Sequence, residues 1–403
     1  MQVYIDDLLA SENHILWMLI ALCLSAFVSY STYPVIIKVS KLKGLMQEPK
    51  SRSSHAIKTP NLGGVGIFMG VISALTFVGS ILSYNNLLCL IGAVTLLFFT
   101  GLKDDLIEIS PIKKLIGQII ASLCIILISD IRIHTFFGVF GIDVLPYFIS
   151  VIFTLFVFIL LINAYNLIDG VDGLAGCVGI TISMLFGIFF YYNGNDSMLF
   201  ISLSLIGALI TFLMFNFSKA KKLFMGDTGS MIIGFLLAYQ GVSFLRVTHN
   251  VELFSAISNP PALVIAIFSF PLMDTLRVFI IRLINGKSPF SADKSHIHHN
   301  LLALGFKHWE ISLIASTFIF IMARITYGFD GIGLHGSIFS LIVVSGFFSV
   351  LPYLFLKIRQ TNKGKKGNKS QSINKRPRYA FQFQKIYNSV LNIFISIIIY
   401  FST

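Results

Sequence analysis

Apolar stretches long enough to cross a bilayer recur along nearly the whole chain, and they remove most folds from consideration. A hydrocarbon core about 30 Å thick needs about 20 mostly apolar helical residues. Inside it only helices and closed barrels satisfy their own backbone groups. Such stretches stand at 14–37, 64–83, 87–102, 112–129, 146–162, 173–192, 197–216, 229–245, 260–284, 310–325 and 336–356. They predict an all-α, polytopic bundle of about eleven membrane helices, with 87–102 and 310–325 the weakest signals. Composition agrees, since 12% of the 403 residues are charged and 55% are hydrophobic, whereas a soluble domain carries roughly 25% charge. A last apolar stretch, 386–401, follows a basic run and is read as lying on the membrane rather than crossing it. Two parts are therefore expected: a membrane domain at 1–356, and a basic tail at 357–403 drawn to anionic lipid.

The charges give that scheme a direction. Loops 38–58, 103–114, 217–228 and 277–307 and the tail from Lys357, which alternation puts on one side, hold 27 of the 30 Lys and Arg. Only Arg132, Arg246 and Arg324 fall on the other. Basic loops stay in the cytoplasm, so the N-terminus is expected outside. The net charge of +12 is then a topology signal, and no nucleic-acid partner is implied. Met1 to Glu12 is acidic and lacks the positive start and cleavage site of a secretory signal, so the first helix is expected to be retained. Cys23, Cys89, Cys124 and Cys177 are scattered and imply neither a disulfide nor a zinc site.

The acids without obvious partners gather on the basic side. Asp104-Asp105 ends the third apolar stretch, with Lys113-Lys114 opening the fourth. Asn163-Ala-Tyr-Asn166-Leu-Ile-Asp169-Gly-Val-Asp172-Gly-Leu174 follows the fifth. Gly226-Asp227-Thr-Gly229-Ser230 leads into the eighth, and His296-Ile-His298-His299 lies between the ninth and tenth. Charge beside a bilayer is costly and marks function by default. Adjacent carboxylates repel, which raises one pKa and suits a metal or a proton transfer. The Asp169 to Gly173 loop lacks the alternating ligands of a calcium hand. The histidines lack the cysteines and spacing of a zinc site, and phosphate contact or acid–base work fits them better. Gly226 to Ser230 offers backbone amides at a helix start, which suit phosphate. The same holds for Arg52-Ser-Ser-His55-Ala-Ile-Lys58-Thr-Pro60-Asn61-Leu-Gly63-Gly64. Asp274 reads either as functional or as a structural acid paired with Arg277 or Arg282.

Together these five ordered motifs, over roughly residues 35 to 310, resemble the polyprenyl-phosphate N-acetylhexosamine-1-phosphate transferases, the superfamily of the phospho-MurNAc-pentapeptide transferases. Gly286-Lys-Ser-Pro-Phe290, Asp293 and the H-I-H-H run look like the branch that transfers simple N-acetylhexosamine phosphates. The resemblance implies transfer of a sugar-1-phosphate, GlcNAc-1-phosphate by preference, from a UDP-N-acetylhexosamine to undecaprenyl phosphate with release of UMP. This is the first membrane step of a cell-envelope polysaccharide such as O-antigen, enterobacterial common antigen or teichoic acid. It implies Mg2+, with Mn2+ as a substitute ion, held by Asn166 and Asp227. Asp104 matches the family's base, with Asp105 beside it; a covalent intermediate on a carboxylate stays open. Asp169 falls in the diphosphate region and Asp172 near uracil. Lys114, Arg52, His296, His298 and His299 would neutralise phosphates, His298 and His299 standing with the catalytic group. His55 and Lys58 join the substrate contacts. A bacterial cytoplasmic, multi-pass location follows, and a homodimer is compatible with it.

Two rival readings fit the sequence less well. A secondary transporter would use acids such as Asp274 and a Gly/Pro-interrupted helix, but it needs paired repeats and acids near the midplane. A membrane scaffold would leave the acidic loops without a purpose.

Overall fold

The computed structural model describes residues 14–47, 58–81, 86–250, 259–286, 296–327 and 330–364. Among them thirteen α-helices follow one another: α1 (His14–Lys43), α2 (Gly63–Ile81), α3 (Asn86–Ile107), α4 (Pro111–Ile128), α5 (Tyr147–Ile168), α6 (Leu174–Tyr192), α7 (Asp196–Asn216), α8 (Gly226–Asn250), α9 (Pro260–Ile267), α10 (Ser269–Ile284), α11 (Ile297–Leu304), α12 (His308–Tyr327) and α13 (Gly333–Gly364). Two short strands, β1 (Met46–Gln47) and β2 (Thr59–Pro60), pair antiparallel with Met46 opposite Pro60. Ten of the helices are long and apolar enough to cross a membrane, and α9 with α10 makes an eleventh crossing if counted together. The all-α polytopic bundle is thus what the apolar stretches predicted, and 87–102 and 310–325 both lie in helices.

One predicted span differs in shape. Residues 260–284 are two helices bent by 72°. Pro271 has no N–H to give the Ile267 carbonyl, and its ring crowds that group. The break falls there, at Phe268, between α9 and α10. Pro34 and Pro352 sit inside α1 and α13, which run on past them. At the other boundary, α13 continues beyond residue 356 to Gly364, and Arg359 donates to the Ala303 carbonyl at 2.9 Å. The first part of the predicted tail is therefore helix. The apolar stretch 386–401 lies outside the described residues.

The bundle is built around α8. In its most apolar stretch 83% of residues are buried, against 17% for α1 and 22% for α13. It packs against α2, α3, α5 and α6. Phe27, Leu88, Phe99, Phe148, Phe339 and Phe347 point outward, which a membrane helix can do because lipid is as apolar as the side chain. With no hydrophobic drive between helices in lipid, close approach falls to small residues. A Cβ on Gly64 of α2 would stand 2.2 Å from the Gly229 nitrogen of α8, so neither helix could keep its place. Inside, the Gln240 side chain and the Ser183 hydroxyl bond each other at 3.1 Å, which satisfies two polar groups where no water reaches.

Gly64→Ala should lower the melting temperature in detergent by several degrees or prevent folding, because its obstacle is backbone. Gly92→Ala, on an open helix face with nothing within 4 Å, should raise stability by about 0.5–1 kcal/mol. Equal melting temperatures for the two variants would remove the close-packing argument.

Candidate active site

At one end of the bundle the chain leaves α3, enters α4, leaves α5 and enters α8, and the motif residues sit on those four ends. Asp105, on the last turns of α3, accepts from the backbone N–H of Asp227 at 2.8 Å and of Thr228 at 3.0 Å. It accepts also from the Thr228 hydroxyl at 2.5 Å and the Asn61 amide at 3.1 Å. The start of α8 does hold an anion, as its amides suggested, but that anion is the protein's own carboxylate. Gly226 makes this approach feasible: its φ is +73°, and a Cβ there would lie 2.6 Å from Asp105 Oδ2. The Gly63 and Gly64 amides are also taken, by the carbonyls of Phe224 and Met225 at 2.8 Å each. The sequence had offered both sets of amides to a phosphate. Instead they weld α2, α3 and α8 together.

Asp105 so fixed leaves Asp227 turned toward a second group. Lys114 Nζ, at the start of α4, stands 2.8 Å from Asp227 Oδ1 and 3.2 Å from Asp104 Oδ2. The amide nitrogen of Asn166 donates to Asp227 Oδ1 at 2.5 Å and to the Ser230 hydroxyl at 2.7 Å. Asp104 also accepts from the Ile109 N–H at 2.8 Å, which closes the end of α3. One ammonium thus serves two carboxylates. A cavity of about 270 Å³ opens beside them, lined by Asp104, Ile109, Pro111, Lys114, Leu115, Gln118 and Asn163. Asn163, which gained no role from the sequence, donates to Gln118 Oε1 at 2.9 Å and ties α5 to α4.

Could these residues hold magnesium? Among the described residues, no three His, Cys, Asp or Glu side chains converge as a ligand set. Magnesium, however, usually takes one or two carboxylates and completes its shell with water and substrate phosphate. Asp227, whose side chain is 37% exposed, with Asp104 and the Asn166 amide beside it, fits that sparse oxygen set.

The loop after α5 carries the next two acids. Asp169 caps α5; burial, and then the carboxylates of Asp227, Asp105 and Asp172, push it up to about 7. Asp172 pairs with Lys222 Nζ at 2.6 Å and with His308 Nδ1 at 2.9 Å. Asn216 pins this loop to the one before α8, accepting from the Gly173 N–H at 2.6 Å and donating to the Leu223 carbonyl at 2.8 Å. Lys222, His308 and Asn216 were not singled out in the sequence, and Asn61 stood in the 52–64 motif without a role of its own. Lys222 entered only as one charge of a basic loop, and nothing local marks the others.

Asp274 settles as the anchor of the histidine run. It is fully buried, accepts from the Ile297 N–H at 2.7 Å, and meets His296 Nδ1 at 2.9 Å. Arg277, one expected partner, is at 3.7 Å. Asp274 therefore caps α11 and sets its direction. His298 lies against the acidic loop, since a Cβ on Gly170 would be 2.5 Å from its Nε2. Burial, partly offset by Asp274, together with His299, His296 and Arg277 pushes His298 down to about 3. It is neutral at physiological pH, so as it stands it contributes no charge toward a phosphate. The His299 ring lies tilted by 51° against His298, with centroids 4.4 Å apart. Lys58 is exposed just before β2, and Arg52 and His55 lie outside the described residues.

Asp105→Asn, which turns one acceptor into a donor facing amide hydrogens, should reduce stability by about 1–3 kcal/mol, read as a lowered melting temperature. An unchanged value would mean the cap is not formed. Asp169 has a folded pKa above its ordinary 3.8. Between about pH 4 and 7 the unfolded chain releases this proton while the folded one keeps it, so stability falls as pH rises. Ligand-free Asp169→Asn should melt with the parent near pH 4 and above it at about pH 8; a constant gap would refute the shift.

Comparison with known proteins bears on this arrangement. The sequence profile of glycosyl transferase family 4 matches residues 87–245, the stretch from α3 through α8. The decaprenyl-phosphate N-acetylglucosaminephosphotransferase of Mycolicibacterium smegmatis is 31% identical over 301 residues, covering 70% of this chain and 74% of that protein. The protein of the same name from Mycobacterium tuberculosis is 29% identical over 360 residues, 83% of this chain and 89% of its own. The undecaprenyl-phosphate alpha-N-acetylglucosaminyl 1-phosphate transferase of Salmonella typhi is 27% identical over 278 residues, 67% of this chain and 72% of that protein.

Proposed function

This chain belongs to glycosyl transferase family 4, the polyprenyl-phosphate N-acetylhexosamine-1-phosphate transferases, and from that premise we propose that it transfers GlcNAc-1-phosphate from UDP-GlcNAc to undecaprenyl phosphate. The observation that carries the reading is the convergence of Asp104, Lys114, Asn166 and Asp227 on one bundle end, beside a cavity reaching α4.

In this reaction an oxygen of the lipid phosphate attacks the sugar-bearing phosphorus of the donor. A new P–O bond forms there, the bond to UMP breaks, and the lipid diphosphate sugar remains. Donor, acceptor and leaving group are all anionic, so the barrier lies in bringing negative charges together. Asp227 and Asn166 would hold Mg2+, which when bound neutralises the donor diphosphate. Lys114 supplies positive charge between Asp104 and Asp227, where the two phosphates must meet. Asp104, lining the cavity, takes the proton of the lipid phosphate if that phosphate arrives protonated. The acceptor reaches it beside Pro111 and Leu115, which are exposed on the bundle surface. Asp172, held between Lys222 and His308, faces the nucleoside side of the donor. Asp105 and Asp274 act through others: the first positions Asp227 and the second positions the histidine run.

The basic loops favour the cytoplasmic side of a bacterial inner membrane for this end, the side on which UDP-sugars are made, and on this reading the lipid-linked product starts a cell-envelope polysaccharide. A carrier would need Asp274 near the midplane and free to titrate. Here it caps α11.

Purified protein given magnesium, undecaprenyl phosphate and labelled UDP-GlcNAc should form a lipid-linked product and UMP. Failure with every UDP-N-acetylhexosamine offered would sink the reading. Asp227→Ala should lower turnover about a hundred- to a thousandfold with an unchanged melting profile, and near-normal turnover would remove the metal assignment.

A further inference from the structure

The helices that carry the acidic site at one end enclose a second polar cavity at the other. It measures about 350 Å³ and is lined by Leu87 of α3, Ser129 and Ile131 after α4, Asn195, Ser197 and Met198 at the start of α7, and Tyr239, Ser243, Arg246 and Val247 of α8. Binding pockets for small molecules begin at about 300 Å³. Along α8, Asp227 and Arg246 are separated by about 28 Å at ~1.5 Å per residue. That is close to the ~30 Å hydrocarbon thickness. The cavity therefore sits at headgroup depth in the leaflet opposite the active site.

Three independent features of the cavity favour an anion. Arg246 is the one charged side chain among the described lining residues, and no carboxylate among the described residues pairs with it. The N-terminus of the 21-residue α7 opens into it, capped by Asn195, which accepts from the Met198 N–H at 3.3 Å; the positive end of that helix dipole favours negative charge there. Ser243, 2% exposed, has a hydroxyl with no hydrogen-bond partner among the described residues, although it lines this space. A buried hydroxyl left unpaired destabilises the fold. A ligand oxygen would offset that, and a guanidinium adds a planar pair of donors.

We propose that this cavity is a phosphate-binding site for the headgroup of an anionic lipid in the leaflet opposite the active site, with Arg246 and Ser243 as its principal donors. The inference stands apart from the transferase reading, since none of these residues touches the acidic cluster.

The test uses the full chain. Melting temperature is measured in detergent against inorganic phosphate, and in nanodiscs of phosphatidylcholine with and without phosphatidylglycerol. Phosphatidylglycerol should raise it, and Arg246→Gln should abolish the rise or need at least about tenfold more of the anion for the same shift. Ser243→Ala should weaken it several-fold, and Arg246→Lys, which keeps the charge, should retain most of it. Should Arg246→Gln fail to fold, the contrast between Ser243→Ala and Arg246→Lys carries the test. A rise with phosphatidylglycerol alone marks a lipid headgroup, and a rise with inorganic phosphate as well marks a site open to water. An equal rise in parent and Arg246→Gln, or none with either probe, overturns the proposal, an unfilled polar cavity being all that is left.

Discussion

A single carboxylate holds the reactive end of this protein together. Asp105 receives two backbone amides, a hydroxyl and a carboxamide, and by doing so fixes the first turn of α8 to the end of α3. Charge-assisted bonds of this kind contribute about 1.5–3 kcal/mol each, more than any one apolar contact in lipid. Adjacent residues then have opposite tasks. Asp105 faces α8 and is saturated, while Asp104 faces α4 and shares Lys114 with Asp227. Of two acids next to each other in sequence, one is thus a brace and the other lines the cavity.

That division explains how the site tolerates so much negative charge. Asp104, Asp169, Asp172 and Asp227 all approach the same end, yet each has its own compensation. Asp104 and Asp227 share one ammonium, Asp172 has Lys222, and Asp169 holds its proton to near neutrality. The histidine run is organised on the same plan from outside, with Asp274 buried behind it.

The fold was legible because lipid leaves so few options. Runs of apolar residues had to be helices, and even the two weakest stretches are. The break at Phe268 was not legible. Pro34, Pro271 and Pro352 look alike in an apolar run, and only tertiary packing decides that α1 and α13 continue while 260–284 folds over. Within the site, the residue types and their end of the bundle could be read from motif order. Their partners could not. Asn216 ends α7, Lys222 lies in the connection into α8, His308 opens α12 and Asn61 precedes α2, and nothing in the residues themselves marks them as partners of the acids. The amides of Gly63, Gly64, Asp227 and Thr228 were assigned to a phosphate for the same reason, since the sequence does not reveal that a carbonyl or Asp105 already occupies them.

The burial of α8 has a consequence for how the protein is made. A helix wrapped by protein gains little from lipid, and α8 begins with an acid and carries Gln240 and Ser243 inside. Most of the helices packed on it, α2, α3, α5, α6 and α7, are earlier in the chain, and α9 follows it. Its place in the membrane is therefore prepared by segments synthesised before it, and it completes a cleft already standing rather than seeding one. Defects along its length would then surface as failures of biogenesis, with chains held at the insertion stage, before any loss of chemistry could be observed.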